Sequence, residues 1–338
     1  MTRHVLRRLG VGVAACLAFT GLSSGPARAT DVNTTTLPPG VEMPSSPGGV
    51  PAGPDGPAQT TMYRAAPVAW AHPGMNPTGA NDFGCRPTNG RSPVVLIPGT
   101  NSDAYSAWSM YSPRLRALGY CVFSPNFSGR LSLAQNFAYT GDIRDSAKGL
   151  KMFVEHVMSA TGAPRVTLVG WSQGGGPLPN YYLTKLGGDH EVDRLIALAP
   201  SNHGVGERAV QTWMHDAMSE DGHHTVEDLA TDMRVASYEQ QLGSSDFMHD
   251  LYDNGPVTRP GVGYTLIEGK VDWVVAPYTN AFLDEPGVRN INVQDVCPSD
   301  LASHVNFTYD ENVFHLVVNA LDPDHAKPVH CVLQPFLG

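Results

Sequence analysis

Val166-Thr167-Leu168-Val169-Gly170-Trp171-Ser172-Gln173-Gly174 is the stretch whose reading decides the fold. A short apolar run leads straight into G-x-S-x-G, and a segment able to form a helix follows. In that strand–turn–helix context the pentapeptide forms a nucleophile elbow, a strained turn that holds a serine hydroxyl above a sheet. Side chains at Gly170 or Gly174 would collide with the neighbouring strand or helix, which is why glycine is needed there. The pentapeptide alone is moderately specific. It becomes strong with an oxyanion loop upstream and an acid, then a histidine, downstream.

Outward from this stretch, short apolar runs alternate with amphipathic segments from Pro93 onward. Strands are predicted at residues 94–97, 121–124, 166–169, 195–199, 264–267 and 288–296, with helices at 107–118, 143–159 and 313–321. The second helix carries Ala147, Leu150, Phe153, Val154 and Val157 on one face, at the three- and four-residue spacing of a core-facing helix. Such alternation predicts an α/β protein, a mostly parallel sheet with helices on both faces. Between 201 and 261 the alternation stops, and helix-like pieces suggest a cap insertion. Within it Val210, Trp213, Met214, Ala217 and Met218 form a stripe at helical spacing. Packing on the sheet or on the rest of the cap is the default reading, and lining an acyl pocket is the functional one.

The chain opens with Arg3, Arg7 and Arg8, an apolar run through Leu22, and the small-residue site Ala27-Arg28-Ala29. This layout predicts a secretory signal peptide over residues 1–29, too short in its apolar part for a membrane span. Residues 30–62 are rich in Pro, Gly, Thr and Ser, a composition expected of a flexible leader. One large domain is expected from 63 to 338. The formal charge of −10 becomes about −14 once the four arginines of residues 1–29 are gone, which argues against nucleic acid or an anionic membrane as partner. The expected location is extracellular, and the expected state a monomer.

Four cysteines then remain, Cys85, Cys121, Cys297 and Cys331, an even number in an oxidising compartment. Three pairings are possible. Cys85 precedes one predicted strand and Cys121 begins the next, while Cys297 ends a late strand and Cys331 lies in the tail. That placement favours Cys85–Cys121 and Cys297–Cys331, each closing a loop worth about 3–4 kcal/mol by chain entropy. No pair has the C-x2-C spacing of a zinc site.

A serine hydroxyl needs a histidine to take its proton and a carboxylate to orient that histidine. Asp272 is the favoured acid, because it follows the strand at 264–267 at the carboxyl end of the sheet. Glu268, at the strand's end, is the alternative, while Asp253 precedes the strand and Asp284 lies well past it. Among the downstream histidines, His304 falls in the loop between the last strand and the last helix. His315 lies within that helix, and His325 and His330 lie in the tail. His223-His224 could suggest a metal, but no third ligand is evident. The oxyanion formed during attack on an ester needs preorganised donors. The backbone N–H of Gln173 is one, and Thr100, in Pro98-Gly99-Thr100-Asn101, offers an N–H and a hydroxyl.

Val95-Leu96-Ile97-Pro98-Gly99-Thr100, Leu118-Gly119-Tyr120-Cys121, Trp171-Ser172-Gln173-Gly174-Gly175 and the run from Val192 to Pro200 together resemble the fungal lipase B family. Ala199-Pro200-Ser201-Asn202-His203-Gly204 and Gln294-Asp295-Val296-Cys297-Pro298 are similar to secreted bacterial lipases of the class 2 type. The likeness covers about Cys85 to Cys331. It implies an α/β-hydrolase fold, with Ser172 as nucleophile, Asp272 as acid, His304 as base, and Thr100 with Gln173 as oxyanion donors. It also implies the same cysteine pairs, no cofactor, and an ester of a fatty acid as substrate. Trp273 departs from the family pattern, which often has an acidic residue there, and the cap is the least comparable part. The resemblance thus points to a triacylglycerol lipase. A cutinase-like polyesterase or short-chain esterase is the rival with the same triad, and a non-catalytic binding protein of this fold is the distant one.

Overall fold

Six strands build the central sheet: β1 (Val94–Ile97), β2 (Val122–Phe123), β3 (Val166–Trp171), β4 (Val192–Leu198), β5 (Gly263–Glu268) and β6 (Val288–Asn292). Their order across the sheet is β6-β5-β4-β3-β1-β2, and every neighbouring pair is parallel. The computed structural model describes residues 49–127, 130–131, 136–206, 208–209, 212 and 235–336. The stretch read as a signal peptide, most of the stretch read as a leader, the apolar stripe from Val210 to Met218 and the His223-His224 pair lie outside the described residues.

Strands β1, β2 and β3 are buried throughout, and across the sheet alternate residues serve opposite cores. Val95, Ile97, Phe123, Leu168, Leu195, Ala197 and Leu266 belong to one apolar cluster. Val94, Leu96, Val122, Val169, Ile196, Leu198 and Ile267 belong to the other. The helices divide in the same way. The second core takes α1 (Met62–Ala71), α2 (Ala104–Trp108) and α3 (Tyr111–Ala117). The first core takes α4 (Ile143–Thr161) and α5 (Pro177–Lys185). After β4 the described chain forms α6 (Ala236–Gln240) and α7 (Asp246–Tyr252), the latter on the first core. A one-turn helix α8 (Val293–Val296) follows β6, and α9 (Glu311–Leu321) closes the second core.

Local chemistry sets these boundaries. Asp142 caps α4 by accepting the Arg144 N–H, and Gly162 ends the helix at φ +73°, where glycine pays no Cβ penalty. All five apolar residues expected on one face of α4 are buried. The helix expected over 107–118 is instead two helices. Asp103 and Ser106 form a capping box that starts α2 early. Pro113 cannot donate to the Ser109 carbonyl and its ring crowds that carbonyl, so a continuous helix is broken near Ser109 and α3 restarts with Pro113 in its first turn. The strand expected over 288–296 stops at Asn292, whose side chain accepts the Gln294 N–H and caps α8.

Cys85–Cys121 and Cys297–Cys331 are both disulfide-bonded. Cys297 therefore follows a helical turn rather than ending a strand. The final part of the stretch read as a leader is bonded to the body. Asp55–Gly56 pairs with Asn76–Pro77, the Gly53 N–H donates to Gly74 O at 2.7 Å, and the Tyr105 hydroxyl donates to Pro57 O at 2.8 Å. No described helix is long and apolar enough to cross a membrane.

Candidate active site

Beyond β1 the chain runs outward to β2, then returns to place β3 on the other side of β1. The carboxyl ends of β1 and β3 therefore flank a topological switch point, where open parallel sheets bind ligands. Pro98-Gly99-Thr100 leaves one of these ends and Ser172 the other.

Ser172 has φ +58°, a left-handed conformation that a side-chain-bearing residue adopts only when its surroundings enforce it. The glycines enforce it by letting backbone approach backbone. A Cβ on Gly170 would lie 1.7 Å from the Gly174 carbonyl oxygen, and one on Gly174 would lie 2.2 Å from Pro98 O. The collisions are thus with the turn itself and with the end of β1.

The Ser172 hydroxyl and His304 Nε2 are 2.9 Å apart, and His304 Nδ1 is 2.5 Å from Asp272 Oδ2. With Nδ1–H donating to the carboxylate, Nε2 is left as acceptor for the serine proton. The other Asp272 oxygen accepts the N–H groups of Val274 and Val275 at 2.7 and 2.9 Å. Trp171 Nε1 donates to the His304 carbonyl at 3.0 Å, which ties the start of the turn His304–Tyr309 to the elbow strand. All three side chains are buried.

Thr100 is buried beside them. Its hydroxyl oxygen accepts from Gln173 Nε2 at 2.9 Å and from Gln241 Nε2 at 2.8 Å. With both lone pairs engaged, the hydroxyl hydrogen is left to donate. Gln173 also donates to Tyr139 O at 3.0 Å. Gln241 is held by the Ser201 hydroxyl, which donates to its Oε1 at 3.0 Å. The sequence reading missed Gln241. It lies in the region without alternation and is 141 positions from Thr100, so no local pattern marks it.

The rival acids are elsewhere. Asp253 pairs with His249 on the surface, and Asp284 is exposed. Glu268 is wholly buried beside Asp272, and is not the carboxylate bonded to His304. Trp273, which follows the acid, is 42% exposed. His325 bonds Asp322, His330 is exposed, and His315 lies on α9. Among the described residues no cluster of side chains could hold a metal ion.

A model of the alpha/beta hydrolase family matches residues 94–324. Lipase B of Aspergillus fumigatus is structurally similar at 22% identity and a TM-score of 0.56, over 75% of this chain and 56% of that one. The chain thus spans little more than half the length of that lipase. Lipase BlEst2 of Bacillus licheniformis in its propeptide form aligns at 18% identity and a TM-score of 0.49, over 75% of this chain and 54% of that one. No curated protein sequence matches the chain. At these identities the likeness bears on the fold, and the site rests on its own geometry.

Proposed function

The chain belongs to the alpha/beta hydrolase family, and on that premise we propose that it is a secreted serine ester hydrolase acting on fatty-acid esters, a triacylglycerol lipase. The observation that carries the proposal is the bonded series Ser172–His304–Asp272 on a strained elbow at the switch point of the sheet. His304 takes the Ser172 proton as the oxygen attacks the ester carbonyl, and Asp272 steadies the imidazolium. The Gln173 N–H and the Thr100 N–H and hydroxyl stabilise the oxyanion. His304 then protonates the leaving alcohol, and water hydrolyses the acyl-enzyme by the same route. No cofactor is required. The two disulfides support an oxidising compartment.

Ser172→Ala lowers kcat by roughly 10⁶-fold with the fold intact. Near-wild-type turnover in that variant would sink the reading. Rates on p-nitrophenyl esters of increasing acyl length, an emulsified triglyceride and a polyester film separate the lipase from a cutinase-like polyesterase or short-chain carboxylesterase. A non-catalytic binding protein would leave Ser172 unlabelled by a fluorophosphonate probe.

A further inference from the structure

Two carboxyl groups meet beneath His304. Glu268, at the end of β5, is fully buried and within hydrogen-bond reach of Asp272, whose side chain is fully buried as well. Two adjacent carboxyl groups, both wholly buried, cannot both be ionised. Counting donors decides which keeps the proton. Asp272 accepts three: the Val274 and Val275 amides and His304 Nδ1. Among the described residues Glu268 accepts only the Gly269 N–H, at 2.6 Å on Oε1, and none of them aims a donor at its buried Oε2. Donors favour the charged form of a carboxyl, so the negative charge belongs on Asp272 and the proton on Glu268.

We propose that Glu268 stands as a neutral carboxylic acid and donates its O–H to the Asp272 carboxylate, as a positioning residue for the Asp272–His304 pair. The bond gives the orphaned Oε2 of Glu268 a partner and adds a further hold on the Asp272 carboxylate. Burial, and then the charge of Asp272, push the Glu268 carboxyl well above the usual carboxylate range. No cation offsets this among the described residues. Its register partner on β6 is the neutral Asn292, and Lys270 is exposed and paired with Asp295. The positioning role rests on the serine-hydrolase reading, whereas the protonation does not.

Glu268→Gln and Glu268→Met test the two parts. The infrared difference between wild type and E268Q at neutral pH shows a protonated-carboxyl C=O band that the variant lacks. A group whose folded pKa is raised contributes stability that is complete below the unfolded value, about 4.3 for glutamate, and is lost as pH rises. E268Q therefore gains thermal stability on wild type as the pH rises from 5 to 8. Absence of the band, or a stability difference independent of pH, overturns the neutral state.

For positioning, E268Q can still donate an N–H to Asp272 and keeps kcat/KM within about threefold. E268M cannot donate, and loses roughly tenfold in kcat, a fraction of what a general base contributes. It also moves the acid limb of kcat/KM to higher pH, because an Asp272 charge relieved of one donor stabilises the imidazolium more. An unmoved acid limb with wild-type kcat overturns positioning, and E268A is read in the same way should E268M fail to fold. A wild type that neither hydrolyses esters nor labels with fluorophosphonate overturns the hydrolase reading instead, and leaves the infrared and melting results to decide the proton on Glu268.

Discussion

Thr100→Val replaces the proposed oxyanion hydroxyl with a methyl group of nearly the same shape. The hydroxyl oxygen takes two amide N–H bonds, at 2.9 Å from Gln173 and 2.8 Å from Gln241, and so has its hydrogen free for the oxyanion. Losing one such donor lowers kcat by about 10²–10³-fold. The folding cost is separate and limited. Gln173 Nε2 still donates to Tyr139 O, and Gln241 Nε2 still donates to Ser237 O. Neither amide is left without a partner, so T100V costs about 1–3 kcal/mol of stability. The assay is kcat on a soluble p-nitrophenyl ester, well below the melting temperature, with fluorophosphonate titration to count competent sites. Thr100→Ser restores the hydroxyl, and most of the rate with it. Gln241→Leu leaves the hydroxyl in place with one of its two donors gone, and costs less than T100V. A T100V enzyme within about threefold of wild type, or a T100S enzyme as impaired as T100V, would refute the assignment of that hydroxyl.

Three further outcomes follow from the geometry. Gly174→Ala places a Cβ 2.2 Å from Pro98 O and 2.5 Å from Ile97 O, both backbone atoms; it costs about 3 kcal/mol or more, and an unchanged denaturant midpoint would contradict the elbow packing. Replacing Cys297 and Cys331 together removes a cross-link spanning 34 positions, worth about 3–4 kcal/mol. It also lowers activity, because the Phe336 carbonyl in the same tail accepts from Ser303 and Asn306 on either side of His304; full activity in a destabilised variant would refute that link. Asp310 caps α9 and is pushed up to about 8, first by burial and then by Asp300. Its contribution is complete below about 3.9 and lost as pH rises through about 8, so Asp310→Asn, which keeps the cap, gains stability on wild type over that range; parallel melting curves would count against it.

Much of the proposed site could be read from order and spacing. The elbow at Ser172, the acid after β5 and the histidine before α9 follow from strand–helix alternation, because a parallel sheet brings successive strand ends to one edge. The helix at 107–118 was misread because a proline's missing donor acts on a carbonyl four residues earlier, which apolar periodicity does not register. The strand at 288–296 was too long because a single capping Asn292 outweighed the apolar residues after it.

The sequence alone determined which residue types the proposed chemistry has available and the order in which the chain delivers them: Thr100, Ser172, Asp272, His304. Covalent order and hydrophobic period are local properties, so they survive without coordinates. Tertiary structure decided between Asp272 and Glu268 as partner of His304, and brought Gln241 onto Thr100 across 141 positions. Those choices depend on which donors face which oxygen in a buried space. Such geometry exists only once the sheet and its loops have packed.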